Sequence, residues 1–235
     1  MRILDLFCGA GGCSVGYHRA GFDVVGVDLH PQPNYPFEFI QADVLEFMRE
    51  GSGGWGARQF DAIAASPPCQ HYAGSTAWRG RREDHPDLIA PTRAILEATG
   101  LPYVIENVPD ARRHLRNPLM LCGSAFGLPV RRHRYFETNW PLSVLTLGCH
   151  HKPGDLAFMH KGERAYADAL GCDWMTGVEA RQAIPPRFTE FIGAALMAHL
   201  SSEAVPETAD PDPCTGGPES TAPPVSTSPS SRPSS

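Results

Sequence analysis

The sequence has no apolar run long enough to cross a bilayer and no pair of cysteines at the C-x-x-C spacing. A membrane-spanning helix needs about 20 consecutive apolar residues, so we expect no transmembrane segment. No cleavable signal pattern opens the chain, and the seven cysteines therefore indicate reduced thiols rather than a disulfide framework. These absences argue against membrane proteins and disulfide-stapled secreted proteins, and they predict a soluble protein of the cytoplasm.

Lysine is almost absent as well, since 18 of the 20 basic residues are arginine. The net charge of −6 by itself disfavours a nucleic-acid partner, but residues 201–235 hold five acidic residues and one arginine, so residues 1–200 carry only −2. The arginines form three groups: Arg79, Arg81 and Arg82; Arg112, Arg113 and Arg116; Arg131, Arg132 and Arg134. Because guanidinium binds phosphate through paired hydrogen bonds, these groups predict local phosphate-binding surfaces, although a GC-rich coding bias would also explain the arginine excess.

Strand-like and helix-like segments alternate along residues 1–137. The predicted strands are 2–7, 23–29, 37–40, 60–65, 103–106 and 134–137, and the predicted helices are 14–20, 44–50 and 88–98. This alternation predicts a doubly wound α/β fold with a Rossmann-like, mostly parallel sheet. In such a fold, ligands bind beyond the carboxyl ends of the strands.

The C-terminal residues differ in composition from the rest of the chain. Residues 206–235 contain eight prolines and seven serines, and Val225 is their only large apolar side chain. Such a segment cannot bury enough apolar surface to offset its chain entropy. We therefore expect residues 201–235 to be disordered and dispensable, and the folded part to end near Leu200.

Three glycines follow the first predicted strand: Gly9, Gly11 and Gly12. They let the backbone pass close to a ligand, and the helix that follows offers free N–H groups to an anion. The spacing is not G-x-G-x-x-G and no Gly-Lys-Ser/Thr follows, which disfavours a dinucleotide and excludes a P-loop. A mononucleoside-type cofactor fits better, with Asp28 accepting the ribose hydroxyls and Asp43 an adenine amino group. Ordinary turn chemistry would explain the glycines as well.

Two further polar groups come at the ends of predicted strands. Cys69 follows Pro67 and Pro68, whose rings fix the backbone direction, and its thiol is a candidate nucleophile if nearby arginines lower its pKa. Glu106 ends an apolar strand, so burial would raise its pKa and let it donate a proton to a ring nitrogen. Taken singly, the cysteine could be an inert buried thiol and the glutamate a cap of the next turn.

Four segments occur in the order known from one enzyme family: Asp5–Gly12, Pro68-Cys69-Gln70, Glu106-Asn107-Val108 and Arg132-x-Arg134. Together they resemble the signature motifs of the cytosine carbon-5 DNA methyltransferases, which use S-adenosylmethionine. The stretch from Ala183 to Leu196 is similar to the family's closing motif. The resemblance covers residues 1–137 and 173–200, and it implies a sheet of the class I methyltransferase type.

The resemblance implies a role for each residue of these motifs. Cys69 would add to carbon 6 of a cytosine flipped out of DNA, Glu106 would protonate or hydrogen-bond ring nitrogen 3, and Asn107 would orient the catalytic loop. Arg132 and Arg134 match positions that contact the target cytosine and its phosphate. The residues implied to bind S-adenosylmethionine are Asp5, Phe7, Gly9, Gly11, Gly12, Asp28, Asp43 and Pro67. The resemblance also implies a monomer with no obligatory protein partner, encoded by a bacterium or a phage.

The chain departs from the family around this catalytic core. Val130 stands where glutamine usually precedes the arginines, and Arg181-Gln182 replaces the usual Gly-Asn. Residues 138–172 are too few for an independent recognition domain, which predicts a short target sequence or loose specificity. The candidate base-reading side chains there are His150, His151, Lys152, His160 and Lys161. Cys149, Cys172 and the three histidines are zinc-type ligands, but their spacing matches no standard zinc finger, so we assign no metal.

The leading hypothesis is an enzyme that methylates carbon 5 of cytosine in DNA. Its predicted parts are a catalytic core (1–137), a reduced recognition region (138–172), a C-terminal helix that completes the core (173–200) and a tail (201–235). One alternative is the same chemistry on a free pyrimidine nucleotide or an RNA. Another is a non-catalytic DNA-binding relative, which the presence of both Cys69 and Glu106 disfavours.

Overall fold

One seven-stranded sheet forms the centre of the computed structural model, which describes residues 1–50, 59–74, 76, 81–142, 148–156 and 163–203, without the side chains of residues 50, 82, 163 and 203. The strands are β1 (Arg2–Leu6), β2 (Asp23–Asp28), β3 (Glu38–Gln41), β4 (Ala62–Ala65), β5 (Tyr103–Asn107), β6 (Leu119–Cys122) and β7 (His133–Thr138). Their order across the sheet is β3-β2-β1-β4-β5-β7-β6. The first five are parallel, whereas β7 runs antiparallel to β5 and to β6.

Six helices accompany the sheet within the described ranges. They are α1 (Gly12–Arg19), α2 (Val44–Glu50), α3 (Ile89–Thr99), α4 (Glu163–Leu170), α5 (Gly177–Gln182) and α6 (Pro186–Glu203). Side chains of α2 and α3 pack on one face of the sheet, in a cluster with Leu4, Ile63 and Ile105. Side chains of α1 and α6 pack on the other face, with Ile3 and Val104. None of these helices is both long enough and apolar enough to span a membrane.

The first and last helices touch closely because α1 carries a glycine where α6 crosses it. A side chain on Gly16 would overlap Thr189 and the carbonyl of Pro186. The Thr189 hydroxyl is buried and donates a hydrogen bond of 2.9 Å to the carbonyl of Cys13. Helix α6 thereby holds the helix that follows the glycine-rich turn.

The predicted fold class is confirmed, since the sheet is mostly parallel and carries helices on both faces. The predicted strands and helices of residues 1–137 are all present, with ends that differ by one or two residues. Strand β6 and helices α4 and α5 were not predicted, because segments of four to eight residues are too short for an apolar pattern to distinguish a strand from a helix. The division into four segments stays a prediction, and residues 204–235 of the predicted tail lie outside the described residues.

A buried ion pair joins α3 to β7. Arg93 Nε and Nη2 lie 2.6 and 2.7 Å from the two carboxylate oxygens of Glu137, and the backbone N–H of Arg116 donates to the same carboxylate at 2.7 Å. The side chains of Arg93 and Glu137 are only 9% and 1% exposed. The pair therefore fixes β7 from the face opposite to α6.

We expect Glu137→Gln to lower the free energy of unfolding by about 3–5 kcal/mol, because removing one partner leaves the other charge buried and unpaired. The matched control is Glu97→Gln, whose ion pair with Arg116 is 45–61% exposed and should contribute about 1 kcal/mol or less. Urea unfolding of both variants measures the difference. Equal losses in the two variants would show that burial does not govern the strength of the Arg93–Glu137 pair.

Candidate active site

Polar side chains gather where the central parallel strands end. In the β4–β5 register Ala65 lies opposite Ile105, so Ser66, which follows β4, and Glu106 of β5 lie at the same level. Side chains alternate between the faces of a sheet, and Glu106 therefore lies on the same face as Val104, the face that α1 and α6 cover. Asp5 of β1 and Arg134 of β7 belong to this face by the same alternation. The sheet thus brings together residues that are up to 129 positions apart in the sequence.

Asp5 is fully buried, and only one of its two carboxylate oxygens has a hydrogen-bond partner among the described residues. Its Oδ2 accepts a hydrogen bond of 2.5 Å from the hydroxyl of Ser14 on α1, and its Oδ1 has no partner among the described residues. Burial raises the pKa of Asp5 to about 7, and the bond from Ser14 opposes that rise. Ser14 was not predicted as a site residue, since nothing in the sequence distinguishes it from an ordinary serine at the start of a helix.

The turn between β1 and α1 has an unusual backbone. Gly9 and Gly11 have φ angles of +51° and +88°, which a glycine adopts without strain. Phe7 has φ +58°, a conformation that is costly for a bulky residue and is concentrated at functional sites. A side chain on Gly9 would meet no atom within 4 Å, so there is open space beside this turn.

Three other residues that are predicted to bind the cofactor form contacts within the protein. Asp28 accepts hydrogen bonds of 3.0 Å from the backbone N–H groups of Gly9 and His30, and Asp43 caps the start of α2 by accepting from Leu45 and Glu46. The lack of a side chain on Gly12 serves packing, since a Cβ there would lie 2.5 Å from a backbone oxygen of the segment before α6. Whether these residues contact a cofactor stays a prediction.

The segment that carries Cys69 is fixed by the end of β5. Asn107 is buried, and its side-chain amide donates a hydrogen bond of 2.9 Å to the carbonyl of Pro67. Beyond the prolines the chain turns at once, because the carbonyl of Cys69 accepts from the N–H groups of Tyr72 and Ala73. The thiol is therefore placed by two neighbouring strands.

Glu106 and Arg134 form a second buried ion pair. Arg134 Nε lies 2.8 Å from Glu106 Oε1, and the two side chains are only 10% and 8% exposed. Burial raises the pKa of Glu106, while the charges of Arg134 and Arg132 and a hydrogen bond from Ser66 act in the opposite direction. Burial thus favours the protonated form of this carboxyl, the form that can donate a proton.

The surroundings that shift the pKa of Glu106 also shift the pKa of the Cys69 thiol, but for the thiol a raised pKa disfavours the reactive form. Burial raises the pKa of its thiol and so does the charge of Glu106, whereas Arg134 and Arg132 lower it. The thiol is half-buried rather than sealed in the core. Nucleophilic attack needs the thiolate, so the charge of Arg134, which also pairs with Glu106, favours the reactive form of Cys69.

The pH dependence of alkylation should report this balance. We expect iodoacetamide to modify Cys69 at a rate that rises with pH, with a midpoint above the ordinary thiol value of 9.0. Replacement Arg134→Gln should move the midpoint higher, because the cation that stabilises the thiolate is removed. Peptide mapping by mass spectrometry separates Cys69 from the other cysteines. An unchanged midpoint in the variant would remove Arg134 as the activating charge.

Arg132 is buried and is held by contacts within the protein. Its guanidinium donates to the backbone carbonyls of Arg181 and Ala183, at 3.0 and 2.6 Å, and to the Tyr166 hydroxyl at 3.3 Å. It is 3% exposed and burial lowers its pKa to about 10. Arg132 therefore ties the segment before α6 to β7, and its predicted contact with the cytosine and its phosphate stays untested.

The three arginine groups are not equivalent. Arg79 lies outside the described residues, as do the candidate base-reading residues His160 and Lys161, and Arg81 is paired with Glu83 at 2.8 Å. Arg112 and Arg113 are exposed and line a surface cavity of about 340 Å³ next to the end of β5. None of the residues that line this cavity is one of the candidate catalytic groups.

Comparison with known sequences identifies the family of the chain. Residues 1–121 match the family model of the C-5 cytosine-specific DNA methylases. The type II methyltransferase M.AgeI of Thalassovita gelatinovora is 33% identical over 169 residues, which cover 58% of this chain and 38% of that protein. The type II methyltransferase M.AplI of Arthrospira platensis is 26% identical over 81% of this chain and 58% of that protein. The chain spans 24–38% of the length of the first three curated relatives.

Solved structures show the same fold at lower sequence identity. The Entamoeba histolytica methyltransferase EhMeth has a TM-score of 0.54 and 14% identity, over 86% of this chain and 98% of that chain. The S. pombe Dnmt2 methyltransferase has a TM-score of 0.54 and 13% identity, over 85% of this chain and 99% of that chain. Since the match to the family model spans more than half of its residues, the chain belongs to the C-5 cytosine-specific DNA methylase family.

Proposed function

We propose that the protein transfers a methyl group from S-adenosylmethionine to carbon 5 of cytosine in DNA. One observation carries the proposal: a half-buried thiol follows β4, a buried carboxyl lies on the neighbouring strand β5, and the charge of Arg134 acts on both. Carbon 5 of cytosine is too weak a nucleophile for methylation unless the ring is activated covalently. A thiol and a proton donor side by side are the pair of groups that such activation requires.

In the proposed reaction the thiolate of Cys69 forms a bond to carbon 6 of the ring. The electron pair of the 5,6 double bond moves into the ring, and Glu106 stabilises it by giving a proton or a hydrogen bond to nitrogen 3. S-adenosylmethionine, when bound, supplies the methyl group to carbon 5. A base then takes the proton from carbon 5, which restores the double bond and expels the Cys69 thiolate, and the proton on nitrogen 3 returns to Glu106.

The residues of the glycine-rich turn fit this cofactor. S-adenosylmethionine carries positive charge on its sulfonium and amino groups. Asp5 offers a buried carboxylate oxygen that has no partner among the described residues, and Gly9 leaves open space beside the turn. A buried carboxylate of this kind is stabilised by a cationic ligand. Asp5, Gly9 and Asp28 would hold the cofactor at the end of β1 and β2.

Binding of S-adenosylmethionine should depend on pH through Asp5. The carboxyl of the free protein holds its proton below a pKa of about 7, and a cationic ligand favours the ionised form, so the affinity should increase as the pH rises from 6 to 8. Asp5→Asn should bind more weakly and lose this increase, which separates Asp5 from titration of the ligand itself. Isothermal titration calorimetry, with exposed Asp61→Asn as the control, measures both effects. An equal increase in Asp5→Asn would exclude Asp5 as the source.

A cytosine inside a duplex is out of reach of these groups, so the base must be flipped out at a cost of a few kcal/mol. The short region between the arginines and α4 leaves few side chains to read base edges, which specifically favours a second candidate substrate, RNA or a free nucleotide.

We keep the predictions of a monomer and of a short target sequence. Light scattering on the purified protein tests the first of these.

The test of the proposed function is methyl transfer from labelled S-adenosylmethionine to a panel of substrates. Duplex DNA, transfer RNA and free cytidine nucleotides are compared at equal cytosine concentration, with Cys69→Ser as the inactive control. We expect label in DNA, and bisulfite sequencing should then locate it at carbon 5 within a short motif. Label in RNA or nucleotide alone would keep the chemistry and overturn the substrate, and no transfer to any substrate would overturn the function.

A further inference from the structure

A cluster of two cysteines and two histidines lies at the outer edge of the sheet. Its members are Cys122, His133, Cys149 and His151, and their ligand atoms all lie within 4.8 Å of one another. Cys122 and His133 are directly opposed in the β6–β7 register, whereas Cys149 and His151 come from the segment 148–156. No disulfide involves these cysteines. The cluster is separate from the site described above, since alternation along β7 places His133 on the face opposite to Arg134.

Three distances between the ligand atoms agree with those of a tetrahedral ion site. The two Nε2 atoms of His133 and His151 are 3.2 Å apart, and the Sγ–Nε2 distances are 3.3 Å for Cys149–His133 and 3.5 Å for Cys122–His151. A tetrahedral zinc ion with Zn–N bonds of about 2.0–2.1 Å and Zn–S bonds of about 2.3 Å holds two nitrogens about 3.3 Å apart, and a nitrogen and a sulfur about 3.6 Å apart. The observed distances agree with these values to within a few tenths of an ångström.

The protein holds the segment with Cys149 and His151 in place by contacts outside the cluster. The backbone N–H of His150 donates to the hydroxyl of Ser124 at 2.8 Å, next to Cys122. Leu156 forms two backbone hydrogen bonds of 2.8 Å, with Pro129 and Arg131. Behind the ring of His151, the carboxylate of Asp155 lies 3.9 Å from Nδ1, as carboxylates do behind many metal-bound histidines.

We propose that Cys122, His133, Cys149 and His151 bind a structural zinc ion. Two thiolates and two imidazoles in a closed tetrahedral set are typical of structural zinc sites, which leave no position open for a substrate. Binding releases the two thiol protons and leaves a site of zero net charge, so no oxidant or reductant takes part.

The ion would fasten the recognition region to the catalytic core. A segment of about 35 residues has too small a core of its own and usually needs a staple, and the cluster supplies one between the end of β6, the start of β7 and residues 149–151. His133 lies between Arg132 and Arg134 in the sequence. The metal would therefore also fix the start of β7, the strand that carries Arg134.

Metal content and spectroscopy test this site without reference to catalysis. The full-length protein, freed of any affinity tag and kept reduced, should contain one equivalent of zinc by mass spectrometry of the metal. After removal of zinc, cobalt(II) should give the intense visible bands of a tetrahedral site and a thiolate charge-transfer band. Cys149→Ser and His151→Ala should lose both signals. His150→Ala, a neighbour outside the cluster, should keep them.

Stability supplies a second measurement that does not depend on cobalt. Chelation should lower the melting temperature of the wild type, and added zinc should restore it, because a ligand that binds only the folded state stabilises it. Cys149 and His151 are exposed, so their variants should fold and show no response to chelator. A wild type without zinc or a cobalt spectrum, unchanged metal content in both exposed variants, or a Cys122–Cys149 disulfide in reduced preparations would each overturn the proposal.

Discussion

Replacement of Cys69 by alanine is expected to abolish methyl transfer and to leave the binding of S-adenosylmethionine intact. The reason is geometric: among the described residues, Cys69 is the only cysteine placed by the ends of both β4 and β5. Apart from Pro67, the predicted cofactor residues lie on β1 or β2 or in the segments that follow β1 and β3, so the loss of one thiol should not reach them. Transfer of labelled methyl to DNA measures the first effect, and calorimetry measures the second.

A covalent trap makes the same prediction specific to the bond with carbon 6. In DNA with 5-fluorocytosine, fluorine replaces the hydrogen that must leave carbon 5, so the adduct cannot resolve and the protein stays attached. The wild type should form a complex that survives denaturing electrophoresis, and Cys69→Ser should not. Cys214→Ser, which changes a cysteine outside the described residues, is the matched control and should be trapped like the wild type.

Two results would contradict this prediction in different ways. Methylation by Cys69→Ala near the wild-type rate would exclude the covalent mechanism. Trapping of the wild type by a fluorinated nucleotide but never by DNA would keep the mechanism and exclude DNA as the substrate.

Replacement Glu106→Gln is expected to lower the rate by about 10²–10⁴-fold, the range that a general acid contributes. Glutamine keeps the size of the side chain and can still donate a weak hydrogen bond, but it cannot transfer a proton to nitrogen 3. Burial raises the pKa of Glu106, so the wild-type rate should fall as the pH rises through that pKa. The variant should lack this limb of the profile.

The control for Glu106→Gln is Glu97→Gln, an exposed glutamate away from the site. Glu97→Gln should keep the melting temperature of the wild type, whereas Glu106→Gln should lower it, because glutamine leaves Arg134 buried without its ion-pair partner. The rates are therefore compared at a temperature at which both variants are folded. Single-turnover methylation across pH 6–9 separates the proton effect from binding. A Glu106→Gln enzyme with wild-type rate and an unchanged pH profile would remove Glu106 from the reaction.

The sequence allowed the parallel half of the sheet to be predicted because each strand there is a short apolar run followed by a polar group. Asp5, Asp28, Cys69 and Glu106 all follow that pattern, and parallel strands must bring such ends to one edge. The partner of Glu106 could not be predicted in this way. Arg134 reaches it because β7 turns back antiparallel beside β5, and no local pattern specifies that pairing.

Other parts of the site depended on contacts between distant segments. Arg132 and Arg134 look alike in the sequence, yet Arg132 binds the carbonyls before α6 and Arg134 binds Glu106. Of the four residues in the cluster, the sequence indicated only Cys149 and His151 as zinc-type ligands. Cys172, which it also indicated, is buried elsewhere, against Leu170 and Met175. Nothing in the sequence indicates Cys122 and His133 as ligands, because only the register of an antiparallel strand pair brings them together.

The crossing of α1 and α6 has a consequence for the order in which the chain can fold during synthesis. The bond from Thr189 to Cys13 spans 176 residues, and Trp174 donates to the carbonyl of Ala10 across 164. Contacts of such sequence separation form late, because a long loop must close first. While the ribosome is still adding residues, α6 does not yet support the glycine-rich turn. The face of the sheet that α6 covers in the folded protein then exposes Ile3, Val24 and Val104. The nascent chain should therefore need chaperone protection until α6 has emerged, and a release of the polypeptide before that point should yield protein that aggregates.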